Sequence, residues 1–347
     1  MAVYTTINDG SAYFQTALYT GTGNAQTITN TGNANLQPDW VWTKNRSAAQ
    51  NHCVTDTNRG LNKVIFPDAN DLQSTVTLVS SMNTDGFTIS NNALVSTNGN
   101  NYVGWQWKAN GGTTVTNNDG SHTSTVQANT TAGFSIVTYT GTGSGFTLGH
   151  GLGAAPEIII NKGLSDSHSW IVGSTHDSAN LSKVLILNDT AVSTTATANF
   201  NAAPTSSVYT IGTAGGVNNN GQDYISYLFR SIQGYSKIGV YYGNGGSDGT
   251  FINTGFKPRF FILKGTGNVS SWCMYDTARD PINRASQKIW ANENDAEQST
   301  GAMDFLSNGI KMRTSDNDFN GSGNPYLYMA FADNPFVTSD KVPTTAK

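Results

Sequence analysis

The segment Tyr224-Ile-Ser-Tyr-Leu-Phe229 places large side chains on both faces of a chain that alternates with a period of two residues. This pattern is typical of a central strand that is buried between two layers. Two other segments have the same character, Tyr102-Val-Gly-Trp-Gln-Trp107 and Tyr326-Leu-Tyr-Met-Ala-Phe331. The sequence therefore predicts one type of buried aromatic strand that is used three times.

Each of these strands closes a longer repeat with further landmarks. The repeat opens with a tyrosine before a glycine turn, and a proline, two or three apolar residues and a lysine follow. The opening tyrosines are Tyr19, Tyr139 and Tyr242, and the lysines are Lys44, Lys162 and Lys264. Successive lysines and successive closing tyrosines have nearly the same separations, about 120 and then about 100 residues. The agreement predicts three units, each long enough to fold as a domain.

The predicted repeats occupy residues 16–109, 133–235 and 236–336. The first separation exceeds the second because of residues 110–132, which are rich in Gly, Thr, Asn and Ser. We interpret this stretch as a polar linker. Residues 1–15 are interpreted as an N-terminal docking segment, and residues 337–347 as a C-terminal tail.

Turn signals separate the short strand-like runs within each repeat. Tight hairpin turns prefer Asp-Gly and Asn-Gly pairs, which occur at Asp85-Gly86, Asn308-Gly309 and Asn320-Gly321. Several short strands within about 100 residues favour an antiparallel β-sandwich. We therefore expect an all-β protein of three tandem antiparallel β-sandwich domains. Jelly-roll and concanavalin-like strand orders both stay open, because the sequence does not fix the order of strands.

Charge and cysteine content exclude several classes of protein. Only 12% of the 347 residues are charged and the net charge is −4, so there is no basic surplus for binding nucleic acid. No run approaches the roughly 18 apolar residues that span a membrane, and the N-terminus lacks the basic and apolar regions of a signal peptide. Two cysteines, Cys53 and Cys273, are too few for a disulfide framework.

An Asp-x-x-Arg pair occurs twice, at Asp56 and Arg59 in the first repeat and at Asp276 and Arg279 in the last. At this spacing a turn can fold the guanidinium onto the carboxylate as a two-bond pair. We interpret both pairs as structural clasps on loops, because the sequence places no second acid or nucleophile beside them. The middle repeat has His176-Asp-Ser at this place and lacks the arginine.

The other candidate sites have weaker patterns. The five histidines form none of the paired spacings of a metal site, and we expect neither a metal nor another cofactor. The segment Gly245-Gly-Ser-Asp-Gly249 matches the letters of a nucleophile elbow, but no helical segment follows it. Ser315–Asn320 is rich enough in oxygen for calcium, with a plain turn as the alternative. The seven tryptophans are core residues or, at one or more positions, an exposed platform for sugars.

Several glycine-rich segments resemble proteins encoded by tailed bacteriophages, especially marine ones. They are Asp119–Asn129, Ala132–Gly141, Gly149–Pro156, Asn253–Pro258 with Lys264, Phe305–Gly309 and the ending Tyr328–Ser339. The resemblance extends over nearly the whole chain. It implies a virion or tail-fibre-like protein with tandem lectin-like or concanavalin-like sandwich domains, and it brings no catalytic residues that could be transferred to this chain.

The repeats, the low charge and the resemblance lead to one functional expectation. We expect a non-enzymatic structural component of a bacteriophage virion, as a tail fibre, capsid fibre or decoration protein, that contributes to attachment to the host. The expected partners are other virion proteins, host-surface glycans and further copies of the chain, without nucleic acid or membrane insertion. The expected location is the virion, after synthesis in the host cytoplasm. The alternatives are a carbohydrate-binding lectin-like module and a tail-associated polysaccharide depolymerase, which needs two opposed carboxylates.

Overall fold

Short strands joined by turns form nearly all of the regular structure in the computed structural model, which describes residues 4–338. The helical pieces there are a 3₁₀ turn at Gly10–Ala12 and two single turns, α1 (Ala93–Ser96) and α2 (Gly215–Asn218). All ladders between the strands are antiparallel. The predicted all-β class is therefore confirmed.

The strands divide into three sets along the chain, which we call the first, middle and last units. The first unit contains β1 (Phe14–Thr20), β2 (Gln26–Ile28), β3 (Trp40–Asn45), β4 (Cys53–Asp56), β5 (Lys63–Val64), β6 (Ser74–Thr75), β7 (Val79–Asn83), β8 (Gly86–Ile89) and β9 (Asn101–Trp107). The middle unit contains β10 (Val115–Asn117), β11 (Ser124–Asn129), β12 (Phe134–Thr140), β13 (Phe146–Gly149), β14 (Ile158–Gly163), β15 (Ile171–Ser174), β16 (Lys183–Ile186), β17 (Thr194–Thr195), β18 (Val208–Ile211) and β19 (Asp223–Phe229). The last unit contains β20 (Ser236–Tyr242), β21 (Phe251–Asn253), β22 (Phe256–Gly265), β23 (Cys273–Asp276), β24 (Ala285–Trp290), β25 (Gln298–Leu306), β26 (Gly309–Met312) and β27 (Pro325–Pro335).

One order of four strands occurs in all three units. The orders are β1-β9-β3-β4, β12-β19-β14-β15 and β20-β27-β22-β23. The closing strands β9, β19 and β27 each have a partner on both sides, and most of their residues are buried. The aromatic segments are thus central strands, as their two-sided apolar pattern predicts.

A second layer of strands covers the four-strand core of each unit. In the first unit it is a separate sheet of β2, β8 and β7, and in the middle unit a separate pair of β13 and β18. In the last unit the main sheet itself continues through β24, β25, β26 and β21. In the first unit Val41 of the main sheet joins Phe87 and Ile89 of the second sheet in one buried cluster. Each unit therefore has two layers with apolar side chains between them.

The first tyrosine of each closing strand ties that strand to the loop before it. Its hydroxyl accepts a backbone N–H from five residues earlier and its ring stacks on a tyrosine of the opening strand. The stacked pairs are Tyr19 and Tyr102 (5.1 Å between centroids), Tyr139 and Tyr224 (5.2 Å), and Tyr241 and Tyr326 (5.0 Å). In the last unit the structural counterpart is thus Tyr241 rather than the predicted Tyr242, whose side chain lies on the opposite face and is 65% exposed.

The stretch 110–132, predicted to be a polar linker, contributes two strands to the middle sheet. β11 pairs with β12, and β10 pairs with β11. The alternation of buried Ser124 and Val126 with half-buried Thr125 favours an extended strand in spite of the Gly- and Asn-rich surroundings. The middle sheet therefore carries a hairpin that the other two units lack.

The described part of the predicted docking segment packs against the last unit and against the connection between β19 and β20. The Tyr4 hydroxyl donates to the Gly255 carbonyl, and the Thr5 hydroxyl donates to the Gln233 carbonyl at 2.8 Å. Residues 1–3, and all of the predicted C-terminal tail after Thr338, lie outside the described residues. Nothing about docking to another protein follows from these contacts.

Candidate functional site: three interfaces around a shared core

One face of the main sheet in each unit contributes to a single buried cluster. The third strand in the common order is β3, β14 or β22, and we call it the third strand of its unit. It contributes Trp40 and Trp42 in the first unit, Ile158 and Ile160 in the middle unit, and Phe260 and Ile262 in the last unit. Aromatic contacts cross all three boundaries: Trp40 with Tyr227 (4.6 Å), Phe14 with Phe331 (5.4 Å) and Phe229 with Phe331 (5.7 Å). The three units therefore share one core in addition to their own layers.

Backbone hydrogen bonds connect the units in a cyclic order. In each unit a segment that we call the strap (66–73, 186–193 and 290–297) reaches the end of the third strand of the next unit. The bonds run from Gln73 N to Leu164 O, from Ser193 N to Thr266 O and from Glu297 N to Arg46 O, each 2.9 Å long. First binds middle, middle binds last and last binds first, so the chain closes into a ring of three.

The three landmark lysines cross the same interfaces. Each Nζ donates to a carbonyl of its own unit and to a strap carbonyl of the neighbouring unit. The strap acceptors are Asn294 for Lys44 (3.2 Å), Asn70 for Lys162 (3.4 Å) and Thr190 for Lys264 (3.1 Å). Burial lowers the pKa of each ammonium group to about 8. The repeated lysine is thus a tie between units and not a solvent-facing charge.

The residue just before the fourth strand of the common order (β4, β15 or β23) is a tryptophan or a histidine. Its ring N–H provides a further contact in each interface. The donors and carbonyl acceptors are Trp170 and Phe66 (2.9 Å), Trp272 and Ile186 (2.8 Å), and His52 and Trp290 (2.9 Å). His52 Nδ1 accepts from Trp42 Nε1 at 2.8 Å, so its proton resides on Nε2. Burial, aided by Lys44, lowers the pKa of His52, and the neutral ring can replace an indole here.

An aspartate or asparagine of each strap accepts the backbone N–H of that same ring residue. The bonds are His52 N to Asp68 Oδ1 (3.0 Å), Trp170 N to Asn188 Oδ1 (2.9 Å) and Trp272 N to Asn292 Oδ1 (2.7 Å). Two of the three acceptors are neutral amides. Burial raises the pKa of the third, Asp68, to about 7, because water is removed from the carboxylate.

The structure brings Asp56 to Arg59 and Asp276 to Arg279. The Nε–Oδ2 distances are 2.7 Å and 2.6 Å, and the backbone N–H of each arginine donates to the Oδ1 of its aspartate at 2.9 Å. The guanidinium thus gives one of the two predicted bonds, and the backbone gives the other. These side chains are at most 3% exposed. Although burial acts in the opposite direction, Arg279 lowers the pKa of the Asp276 carboxyl.

Both clasps lie at interfaces rather than on free loops. The Tyr227 hydroxyl of the middle unit donates to Asp56 Oδ2 at 2.7 Å, and Trp105 Nε1 of the first unit donates to Asp276 Oδ2 at 3.0 Å. Arg279 also binds Glu297 of its strap at 3.0 Å, and Glu297 binds Arg46 of the first unit at 2.6 Å. The clasped carboxylates therefore hold an aromatic donor from the neighbouring unit.

The middle–last interface has different residues at the corresponding places. Ser174 ends the fourth strand where Asp56 and Asp276 stand, and Asp177 replaces the arginine. The Ser193 hydroxyl of the strap donates to Asp177. Met329, which has no donor, occupies the place of Trp105 and Tyr227 in the closing strand. Acceptor, arginine and donor are absent together at this interface.

The remaining candidates from the sequence have structural surroundings. Six of the seven tryptophans are at most 3% exposed, and the partly buried Trp290 lies 4.2 Å from the Lys288 ammonium. A strand, β21, follows Gly245–Gly249, so a nucleophile elbow is not formed. The side chain of Asn320 in the oxygen-rich loop donates to its neighbours, for example to Thr314 O at 2.9 Å. Among residues 4–338, no three His, Cys, Asp or Glu side chains are arranged to hold a metal ion.

Sequence reasoning missed the straps. Their members share an Asp or Asn at position three, but the loops between the lysine and the strap differ in length in the three units. Counting residues onward from the lysines therefore does not align the straps. The separations between successive straps are nevertheless close to those between successive closing tyrosines. Only the three-way alignment of Asp68, Asn188 and Asn292 could have revealed them.

Within residues 4–338, no helix is long and apolar enough to cross a membrane.

Comparison with known proteins identifies one matching family. No curated protein matches this chain. A model of the family described as a domain of unknown function, DUF7483, matches residues 9–335. The match includes all three units with their shared core, and the chain belongs to this family.

Proposed function

We propose that this protein is a non-enzymatic structural component of a bacteriophage virion, as a tail fibre, capsid fibre or decoration protein. The observation that carries the proposal is the closure of three similar units into one ring, with buried ion pairs and aromatic contacts at the interfaces. The buried charged groups of this architecture hold the units together. The assignment to a virion comes from the resemblance of the sequence to tailed-phage proteins.

We interpret the three units as tandem antiparallel β-sandwich domains of jelly-roll or concanavalin-like type. The two layers in each unit and the common four-strand order support this interpretation. The domains are not independently packed, because each contributes one face to a common core. This arrangement gives a rigid body for display on a particle.

The clasp geometry supports a non-enzymatic role. A general acid or a nucleophile must reach a substrate, whereas Asp56, Asp276 and Arg279 are fully buried and occupied by structural partners. A depolymerase would need two opposed carboxylates in a cleft. Release of reducing sugar from host polysaccharide by the purified protein would contradict the proposal.

Localisation in purified particles tests the proposal directly. A labelled antibody against the chain, viewed by negative staining, is expected to decorate intact particles at a defined place, and mass spectrometry of the same particles is expected to detect its peptides. Particles from a phage that lacks the gene provide the control. Particles without label or peptides would overturn the virion assignment.

Attachment to the host is the second part of the proposal. Other virion proteins and further copies of this chain are its proposed partners, since several displayed copies would increase the avidity of weak sites. The burial of six tryptophans argues against an exposed stacking platform. Binding of host glycans would therefore rely on hydrogen bonds in a cleft.

A further inference from the structure

A cleft of about 500 Å³ lies between the first and middle units. The first unit contributes Asn58, Arg59 and Gln73, and the middle unit contributes mainly hydroxyl-bearing side chains of β11 and β12. A volume of this size is within the usual range for small-molecule sites, roughly 300–1,000 Å³. The cleft is therefore large enough for two or three sugar rings.

Among residues 4–338, one wall of the cleft has no counterpart at the other two interfaces. It is built by β11, which covers the edge of β12, whereas the corresponding strands β1 and β20 stand at the ends of their sheets. The β10–β11 hairpin comes from the residues 110–132 that make the middle unit longer than the others. The insertion thus adds a wall with His122, Thr123 and Thr125 to one interface out of three.

The floor of the cleft also differs from its counterparts. Thr138 faces the cleft from β12, and the residues at the same register are Leu18 in β1 and Val240 in β20. Asn58 bridges the two walls: its Oδ1 accepts from the Thr138 hydroxyl at 2.8 Å, and its Nδ2 lies 3.4 Å from Thr125 O. The corresponding residues of the other loops are His176 and Ala278. Among the described residues, the bond between the Asn58 amide and the Thr138 hydroxyl therefore has no counterpart at the other two interfaces.

The lining groups can still bind a ligand. Thr125 Oγ1, His122 Nδ1 and the second carboxylate oxygen of Asp223 have no hydrogen-bond partner within residues 4–338. The His122 ring is positioned by Phe146 at 4.6 Å and by the Thr140 carbonyl at 3.0 Å from Nε2. These groups offer both donors and acceptors to a ligand in the cleft.

The charge of the cleft disfavours an anionic ligand and offers a cation only one carboxylate. Asp56 neutralises Arg59, so the exposed Asp223 is the carboxylate that remains at the rim. An anionic ligand would meet this carboxylate, and a cation would find no second acid in the lining. Hydroxyl, amide and aromatic groups side by side suit a neutral molecule with many hydroxyls.

We propose that the cleft between the first and middle units binds a short neutral glycan, with Thr125, Asp223 and His122 as its hydrogen-bonding groups. The inference rests on the attachment part of the proposed function and assigns a place to it. It does not depend on which virion component the chain forms.

The test uses the purified full-length protein and an array of neutral di-, tri- and tetrasaccharides, followed by calorimetric titration of any oligosaccharide that is retained. Thr125→Val and Asp223→Ala are expected to weaken binding by about tenfold each, since each removes a hydrogen-bonding group. The matched control is Thr20→Val, because Thr20 bonds Asn101 at the last–first interface as Thr140 bonds Asp223 here. The control is expected to keep the affinity of the wild type.

Two results would overturn the inference: no neutral oligosaccharide is retained, or binding persists unchanged in both cleft variants. Thermal unfolding of each variant shows that the fold is intact, and the conservative Asp223→Asn, which keeps one acceptor oxygen, covers the case in which Asp223→Ala fails to fold. Loss of glycan binding would leave the virion assignment standing, whereas absence from virions would leave the cleft measurement unchanged.

Discussion

The first–middle and middle–last interfaces have the same backbone contacts but different side-chain chemistry. Both contain a strap bond of 2.9 Å and a lysine tie. The first–middle interface adds a buried aspartate, its arginine and a tyrosine donor, whereas the middle–last interface has serine, aspartate and methionine at these places. The backbone bonds therefore close the ring, and the clasp is an addition whose members depend on each other.

Removal of Arg279 should give the largest effect, because it leaves the buried Asp276 carboxyl without its main counter-charge. We expect Arg279→Met to lower the free energy of unfolding by about 3–5 kcal/mol, as measured by urea denaturation. Arg279→Lys keeps the charge but cannot bind Asp276, Glu297 and the Met274 carbonyl together as the guanidinium does, and an intermediate loss is expected.

The matched control for this prediction is Asp177→Ala in the middle unit. Asp177 occupies the place of Arg279 in a partly exposed setting, so a change within about 1 kcal/mol is expected. Equal losses for Arg279→Met and Asp177→Ala would mean that the clasp adds nothing to the interface.

The straps offer a second comparison, in which Asp68 stands where the other units have Asn188 and Asn292. The pKa of Asp68 is raised from 3.8 to about 7 by burial, with Lys44 opposing and Asp71 adding to the shift. The folded protein therefore holds this proton more tightly than the unfolded chain does. Between about pH 4 and pH 7 the contribution of Asp68 to the free energy of unfolding falls as pH rises.

We expect Asp68→Asn to remove this decline, because an amide keeps the acceptor for His52 N without a charge. The stability gain of the variant over the wild type should grow from pH 4 to pH 7, level off above pH 7, and reach about 2–4 kcal/mol. Urea denaturation at several pH values measures it. Asn188→Ala, which removes an uncharged acceptor, should change stability equally at every pH. A gain for Asp68→Asn that does not vary with pH would contradict the assigned pKa.

The sequence predicts the parts of this architecture that rest on repeated local pattern. Alternating large residues locate the closing strands, and the spacing of Asp56 and Arg59 predicts their contact. It does not predict the ring, because the contacts that close it join a backbone amide such as Gln73 N to a carbonyl about 90 residues away, and backbone groups carry no sequence signal.

The linker interpretation of residues 110–132 shows a second limit. The Gly- and Asn-rich composition favours a flexible segment there, yet the short alternating run at Ser124–Val126 forms β11, which its ladder with β12 holds in place. Likewise, Tyr227 is apolar in pattern, and its role as a donor to Asp56 depends on a face that only the assembled ring creates. Sequence reasoning thus finds residues such as Asp56 and Lys44 but misses the partners that they meet across the interfaces.

A double-mutant cycle at the first–middle clasp measures how strongly Asp56 and Arg59 depend on each other. Arg59→Met alone leaves Asp56 unpaired, and Asp56→Ser alone leaves Arg59 unpaired, whereas the double variant removes both charges and approaches the middle–last chemistry. We expect the double variant to lose less stability than the two single losses added together, by about 1–3 kcal/mol. Additive losses would show that the two charges act independently.

The smallest expected effect concerns the aromatic donors. Tyr227→Phe keeps the ring that packs on Trp40 and removes only the hydroxyl that donates to Asp56 at 2.7 Å. Because the acceptor is charged and keeps Arg59, we expect a loss of about 1.5 kcal/mol in the free energy of unfolding. At the corresponding place, Met329→Leu removes no polar contact and should cost less, within about 1 kcal/mol. If Tyr227→Phe cost no more than Met329→Leu, the hydroxyl would contribute nothing to the interface, and the difference between the interfaces would lie in the arginine alone.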